Sequence, residues 1–292
     1  MRRLIGLFLA LAAIAGLPTA AFAATQNFLW KVSSPQGHAI YLVGSVHLLS
    51  PDYYPLAAAF DEAYAASDLL VEELDMAEML DPLGQMKMLS RGRLPAGQSL
   101  DQHLGPETLA LVSRTLNSMG LPFEPLKQFK AWMLAITMQA TAWEKAGFNQ
   151  KLGLDLHFYE LARAQGKPVQ GLETLDFQLS RFDEMSREVQ ERLLIETIKE
   201  LDSTKEMFTK MADAWRTGDV AAVERQVLSE LQTEPEMYNR LLVERNRTWL
   251  PKIAALLSRP KPSFVVVGAA HLVGKDGLLE GLRSLGYTVT QQ

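Results

Sequence analysis

The sequence predicts an α/β fold: a central mixed sheet formed by the two ends of the chain, with a large helical insert covering it. Residues 28–74 and residues 263–290 each show a strand–helix–strand pattern. Residues 76–260, the predicted insert, have apolar side chains at three-to-four spacing, which is typical of amphipathic helices. Because a sheet buries its apolar faces against helices, the simplest arrangement places both terminal units in one sheet beneath the insert.

The N-terminal unit is predicted to be a hairpin followed by a helix and a third strand. Residues 28–32 alternate as a strand does, residues 33–37 are typical of a turn, and residues 39–43 are apolar. Pro55 and the alanines that follow it predict a helix. Residues 68–74 then predict a buried strand that ends in carboxylates.

The C-terminal unit has the same order of elements. Residues 263–267 are a β-branched run, residues 277–285 predict a helix, and residues 287–290 predict a last strand. Within the insert, residues 168–170 predict one short extended piece, and residues 238–257 predict the final helix.

The first residues are typical of a secretory signal peptide. Arg2 and Arg3 precede an apolar run over residues 4–17, and small residues lead to a predicted cleavage site after Ala23. The run is shorter than the ~20 residues that span a bilayer, so we expect no stable membrane insertion after cleavage. Residues 24–292 are predicted to be a single periplasmic or secreted domain.

Composition limits the possible chemistry. The formal net charge is −5 and no basic run with interleaved aromatic residues occurs, so nucleic acid is not an expected partner. The chain has no cysteine, which excludes disulfides and thiolate chemistry. Any bound metal must therefore be held by His, Asp, Glu or main-chain oxygen atoms.

Two histidines are the leading candidates for the site. His47 and His271 each follow a predicted buried strand in a Gly-x-x-His motif. In open α/β sheets, ligands bind outside the carboxyl ends of the strands. Imidazole at such a position binds a metal or transfers a proton near neutral pH. The alternative is that both histidines are structural residues with hydrogen-bond partners.

Carboxylates form a second group of candidates. Glu72 and Glu73 end a strand, and only one can face the site because adjacent strand residues point to opposite faces. The alternative is that both are solvated. Asp155 begins a helix, where the helix dipole alone favours a carboxylate. Glu173 follows the short extended piece, in a position like that of Glu73.

A polar segment of the last insert helix supplies cationic candidates. Arg245, Asn246 and Arg247 are consecutive, so at most two of them reach one pocket. Arginine is suited to stabilising an oxyanion or clamping a carboxylate. A solvated helix surface is the alternative, above all for Arg247.

Four ordered motifs resemble the TraB/GumN family over essentially the whole predicted mature chain. They are Gly44-Ser45-Val46-His47, Glu73-Leu74-Asp75, Glu244-Arg245-Asn246 and Gly268-Ala269-Ala270-His271-Leu272. This family includes the Tiki proteins, membrane-anchored metalloproteases that use paired Gly-x-x-His motifs and a glutamate with a divalent metal such as manganese or cobalt. It is distantly similar to erythromycin esterases and ChaN-like haem-binding proteins.

The resemblance implies roles for individual residues. It implies that His47 and His271 are metal ligands or catalytic histidines and that Glu73, rather than Glu72, is the site carboxylate. Arg245 and Asn246 fall on the polar helix motif of the family. Asp155 and Glu173 are further candidate metal ligands. Unlike the Tiki proteins, the predicted mature chain has no membrane anchor.

The predicted function is that of an exported metal-dependent hydrolase, acting on a small-molecule or peptide substrate with an amide or ester bond. A divalent ion (Mn, Co, Zn or Fe) would be held by the histidines and carboxylates, with Glu73 as ligand or base. Arg245 would stabilise charge on the attacked carbonyl. Three alternatives stay open: a metal-independent esterase with a histidine base, a non-catalytic protein that binds haem, metal or another ligand, and an accessory envelope protein.

Overall fold

The structure is a computed structural model that describes residues 26–229 and 231–292. The predicted signal peptide, residues 1–23, lies outside the described residues. The strands of the described residues are β1 (Leu29–Ser33), β2 (Ala39–Ser45), β3 (Leu69–Leu74), β4 (Val169–Glu173), β5 (Ser263–Gly268) and β6 (Thr288–Gln291).

The α-helices of the N-terminal unit and the first half of the insert are α1 (Ala58–Ala65), α2 (Met76–Leu80), α3 (Pro82–Gly92), α4 (Pro106–Ser118), α5 (Phe123–Leu126), α6 (Ala131–Lys145) and α7 (Leu154–Gln165). Those that follow are α8 (Leu175–Asp183), α9 (Arg187–Glu200), α10 (Thr204–Arg216), α11 (Val220–Leu228), α12 (Pro235–Tyr238), α13 (Glu244–Leu256), α14 (Ala269–Leu272) and α15 (Leu278–Ser284). A π-helical turn, Asn239–Val243, joins α12 to α13. Among the described residues, no helix is long and apolar enough to cross a membrane.

The six strands form one mixed sheet in the order β4-β3-β5-β2-β1-β6. The neighbours β4, β3, β5 and β2 are parallel, whereas β1 is antiparallel to both β2 and β6. The carboxyl ends of four parallel strands therefore meet at one edge of the sheet. This confirms the predicted α/β class, with a central sheet that both ends of the chain form; β4, from within the predicted helical insert, adds an edge strand.

The two interior strands β3 and β5 show that the sheet is covered on both faces. Every residue of β3 and β5 is buried, and both strands are runs of mostly Leu and Val, as expected for parallel strands with helices on each side. On one face, the ring of Phe158 in α7 lies 4.7 Å from the ring of Phe264 in β5. Leu70 of β3 is the register partner of Phe264, so Leu70 and Glu72 share this face and Glu73 points to the other.

Three elements differ clearly from their predicted bounds, whereas the terminal strands and α15 agree to within two residues. Helix α1 begins at Ala58 rather than Pro55, because Ala57 is still extended. Strand β4 continues to Glu173 because β3 provides a parallel partner along this length. The predicted final helix of the insert is divided by the π-helical turn, and Pro251 lies inside α13. Strand pairing and tertiary packing determine these bounds, and local sequence patterns carry no information about either.

Candidate functional site

The predicted site residues lie at the edge of the sheet where the four parallel strands end. Strand β2 leads to His47, and Glu73 is the penultimate residue of β3. Strand β4 ends at Glu173, and β5 leads to His271 on the short helix α14. Helix α13 adds side chains from the insert across this edge. The strand order brings together residues that are far apart in the sequence.

His47 is held by the start of α7. Its Nδ1 atom lies 2.8 Å from Oδ2 of Asp155, and Ser45 donates a 3.0 Å hydrogen bond to Oδ1 of the same carboxylate. A Cβ atom on Gly153 would lie 2.1 Å from the main-chain oxygen of His47, so only glycine lets α7 begin this close. Asp155, the largest influence, raises the pKa of His47 to about 9. The imidazole is 58% exposed, so its other nitrogen is accessible to a ligand.

Arg245 is the centre of a second, buried group. Its guanidinium donates to Oε2 of Glu73 at 2.5 Å and to Oε1 of Glu173 at 2.8 Å. Its Nη1 atom lies 3.2 Å from the main-chain oxygen of Leu241 and 3.0 Å from Nε2 of His271. Its Nε atom also donates to Oε1 of Glu173 at 3.1 Å, so the contacts use all three nitrogen atoms of the guanidinium. Arg245 therefore holds the strand ends together, and this geometry differs from that of a cation directed at a substrate.

Glu73 lies between the two groups. Burial acts to raise the pKa of Glu73, but Arg245 and the main-chain N–H of Gly268 outweigh it and hold this pKa well below its usual range. The Gly268 N–H donates to Oε1 at 2.6 Å. A Cβ atom on residue 268 would lie 3.1 Å from this Oε1 and 3.3 Å from Nε2 of His47. An ionised carboxylate and an imidazole nitrogen thus face the same space above Gly268.

His271 is a buried, neutral imidazole. Its Nδ1 atom lies 2.7 Å from Oδ1 of Asn246, an acceptor, which assigns the proton to Nδ1. Its Nε2 atom then accepts from Arg245. Burial and the positive charge of Arg245 lower the pKa of His271 to about 3. The ring also packs against Trp249, with 4.4 Å between the ring centroids.

The structure places the predicted residues in these two groups as follows: His47 and Asp155 in the first, and Glu73, Glu173, Arg245, Asn246 and His271 in the second. Arg247 is exposed, in agreement with its solvated alternative.

Two further side chains were not among the predicted site residues. Ser45 donates to Asp155, and Nε1 of Trp249 donates to Glu173 at 2.9 Å. The spacing in the sequence could have identified both. Ser45 lies two residues before His47 at the strand end, and Trp249 lies one helical turn after Arg245, so each is on the same face as a predicted site residue.

Glu72 occupies the opposite face of β3. It is 1% exposed, and within the described chain neither of its carboxyl oxygens has a hydrogen-bond partner. Burial is the main reason that the pKa of Glu72 is raised to about 9, and the negative charges of Asp155, Asp75 and Glu73 act in the same direction. The alternative that both glutamates of this pair are solvated does not hold, since both are buried.

Two cavities meet at His47 and Glu73. The larger, about 340 Å³, is also lined by Arg245, Gly268 and His271 and by apolar side chains of the insert. The smaller, about 200 Å³, is lined by Glu72 and Asp155 with residues of α2 and α7. Four apolar side chains of the larger cavity also line an outer cavity of about 680 Å³: Trp143, Phe182, Phe208 and Met211. The site therefore has an apolar side and an acidic side.

Two of the atoms predicted to ligate a divalent metal already have hydrogen-bond partners. Nε2 of His271 accepts from Arg245, and Oε1 of Glu73 accepts from Gly268. Within residues 26–229 and 231–292, no three His, Asp or Glu side chains are grouped so that they could hold an ion. Arg245 already supplies a positive charge between Glu73 and His271. An ion at this position would require Arg245 to move.

The fold and site define a class of α/β proteins with paired Gly-x-x-His motifs and a buried glutamate–arginine cluster at the carboxyl edge of a mixed sheet. The chain belongs to the TraB/PrgY/gumN family, whose family model matches residues 28–291. This match confirms the resemblance seen in the sequence motifs.

Among its relatives are two proteins with the same description. The chain is 25% identical to the uncharacterized protein YbaP of Escherichia coli (strain K12) over 261 residues, which cover 88% of this chain and 94% of that protein. The uncharacterized protein YbaP of Shigella flexneri matches with the same identity and coverage. No solved structure shows a significant match to the chain.

Proposed function

We propose that this protein is a hydrolase of peptide or other amide or ester bonds, with His47 as the general base. The Asp155–His47 pair at the mouth of two cavities is the observation that carries this proposal. A carboxylate that accepts from Nδ1–H fixes the tautomer of the ring and stabilises the imidazolium that forms when Nε2 takes a proton. The pair is therefore suited to activate water.

The proposed reaction has two proton transfers. Nε2 of His47 removes a proton from a water molecule while the water oxygen attacks the substrate carbonyl carbon. The carbon–oxygen or carbon–nitrogen bond of the substrate then breaks. His47 returns the proton to the leaving oxygen or nitrogen, which regenerates the neutral imidazole. Asp155 remains ionised throughout and holds the ring in position.

The buried cluster supports this reaction by positioning its charges. Glu73 is ionised and lies beside Nε2 of His47 above Gly268, where its Oε1 atom can orient the attacking water. Arg245 holds Glu73 and keeps His271 in one orientation. The larger cavity is mostly apolar, which favours a substrate with an apolar portion beside the reacting bond.

A metal-dependent hydrolase is the second candidate. Nε2 of His271 lies 3.9 Å from Oε1 of Glu73, and His47 faces the same space, so the three predicted ligands are neighbours. This supports a shared site. We rank it second because an ion would have to displace Arg245 from His271. In either version, the signal peptide predicted from the sequence supports an activity in the periplasm or outside the cell.

A screen of p-nitrophenyl esters and peptide amides tests the proposal, with the purified protein beside His47→Ala and His103→Ala. His103 lies outside both cavities that meet at His47 and is a matched histidine control. We expect His47→Ala to lower kcat/KM roughly 10²–10⁴-fold, the usual contribution of a general base, and His103→Ala to leave it unchanged. Equal activity in the parent and His47→Ala would contradict the proposal.

A further inference from the structure

We propose that the smaller cavity beside His47 is a specificity pocket with Glu72 at its base, and that it binds the alkylammonium group of a substrate. A lysine side chain and a simple primary amine are two sources of this group. The inference rests on the proposed hydrolase, because it names the kind of substrate that the site accepts.

The unpartnered carboxyl group of Glu72 is the first reason. Its side chain is 1% exposed, and neither oxygen has a hydrogen-bond partner among the described residues. A buried carboxyl loses its hydrogen bonds to water, and native structures rarely leave such a group without replacement partners. A donor that enters the cavity from outside would supply the missing partner.

The charge around the cavity favours a cation. Asp155 and Glu73 line it together with Glu72. Asp155 is already bound by Ser45 and His47, and Glu73 by Arg245 on the other face of β3. Glu72 is thus the carboxyl of this group that the neighbouring side chains leave without a hydrogen-bond partner, and an ammonium group supplies N–H donors together with a positive charge.

The walls favour an alkyl chain over a bare metal ion. They include Leu74, Met76, Met79 and Leu156, and the cavity volume is about 200 Å³. Hard cations such as calcium and magnesium take six or more oxygen ligands. Asp155 and Glu73 already have partners here, and beside the amides of Gln150 and Gln178 the four apolar side chains present methyl, methylene and thioether groups. A short apolar stem with a terminal ammonium matches these apolar side chains and the one carboxyl among them that lacks a hydrogen-bond partner.

The position of the pocket connects it to the reaction. His47 and Glu73 line both the acidic cavity and the larger apolar cavity. A substrate whose reacting bond lies at His47 would have its amine-bearing part in the acidic cavity and its apolar part in the larger cavity. The preferred substrate is then an amide or ester that carries an ammonium group a few atoms from the reacting carbonyl.

The test is a calorimetric titration of the purified protein with n-butylamine and with 1-butanol at pH 7. Glu72→Gln keeps the shape but cannot ionise beside a bound ammonium group, and Met79→Trp fills the pocket while Glu72 stays in place. Glu62→Gln, at an exposed position of α1, is the matched control. We expect n-butylamine to bind the parent and Glu62→Gln equally, and at least tenfold more weakly to Glu72→Gln and Met79→Trp. We also expect 1-butanol to bind the parent at least tenfold more weakly than n-butylamine.

Unchanged n-butylamine binding in both pocket variants, or no binding to the folded parent, would overturn the proposal. Titration with Nα-acetyl-lysinamide separates the two sources: tighter binding than n-butylamine assigns a peptide side chain, and equal binding assigns a free amine. Because binding is measured without turnover, the result is independent of the hydrolase assay. Binding through Glu72 without hydrolysis would remove only the proposed reaction, and hydrolysis without binding would remove only the pocket.

Discussion

Oδ2 of Asp155 lies 2.8 Å from Nδ1 of His47, and this contact joins the start of α7 to the end of β2. If Asp155 orients the catalytic base, Asp155→Asn should lower kcat/KM roughly 10²–10⁴-fold, because the amide favours another ring orientation and no longer stabilises the imidazolium. Steady-state kinetics on the best substrate of the ester and amide screen checks this. Asp52→Asn, at an exposed position of the 3₁₀ turn Pro51–Tyr53, is the matched control, and equal losses in both variants would contradict the assignment.

The pH dependence of kcat/KM tests whether His47 acts as base or acid. Asp155 raises the pKa of His47 to about 9, so at neutral pH the free site holds mainly the imidazolium and the base form grows as pH rises. A general base predicts activity that increases with pH up to about 9. Asp155→Asn removes the negative charge, lowers this pKa and shifts the rise to lower pH. Activity that instead falls above pH 9 would assign His47 as the acid, and an NMR titration of its ring gives the pKa without a substrate.

The buried contacts of Arg245 predict a large effect on stability. Arg245→Ala leaves Glu73 and Glu173 buried without their counter-charge, and we expect the free energy of unfolding to fall by about 3–5 kcal/mol at pH 7. Arg240→Ala, one turn earlier, removes contacts to the more exposed Glu184 and should cost less than about 1 kcal/mol. Urea unfolding measures both.

The difference in the free energy of unfolding between the parent and Arg245→Ala should become smaller as pH falls. Without Arg245 the pKa of Glu73 rises, so acid neutralises the uncompensated charge in the variant first. In the parent, the stability that the ionised carboxylate contributes is present above its ordinary pKa of 4.5 and is lost as pH falls below it. A difference under 1 kcal/mol at pH 7, or one that grows in acid, would contradict the described cluster.

Because His271 is buried and neutral, we expect a separate loss of stability in mild acid. Its pKa is about 3 in the folded protein and has an ordinary value of 6.5, so the unfolded chain takes up a proton in this interval and the folded chain does not. Stability should therefore fall as pH drops below 6.5, with a contribution that approaches about 1.4 kcal/mol per pH unit. His271→Asn should flatten the curve between pH 6.5 and 5. Urea unfolding across this range checks it, and an unchanged slope would contradict a neutral buried His271.

Local patterns were sufficient to predict the sheet and part of the site. Buried β-branched strands, glycine at their ends and the histidines that follow are all features of short segments. The parallel order of β2, β5 and β3 then brings His47, His271 and Glu73 to one edge. The burial of Arg245 and Asn246 also follows from a local feature, because both lie on the buried face of α13 and Arg247 does not.

The Asp155–His47 pair was not predictable in the same way. Asp155 was only a further candidate ligand, because 108 residues separate it from His47 and the pattern at a helix start is equally typical of a dipole-stabilising carboxylate. The burial of Glu72 depends on where α2 and α7 pack. The engagement of Arg245 by two carboxylates depends on the pairing of β3 with β4. These are tertiary relationships, and no short segment contains them.

The most direct test of the central claim, that His47 and Asp155 activate water with Arg245 in place of an ion, is kcat/KM of the purified protein before and after exhaustive chelation. Metal content should be measured on the same samples and on His47→Ala and His271→Ala. The account predicts unchanged activity after chelation and no near-stoichiometric metal in the parent. Activity that is lost on chelation and restored by Mn, Co or Zn, with near-stoichiometric metal in the parent that both variants lose, would contradict it and establish the metal-dependent site.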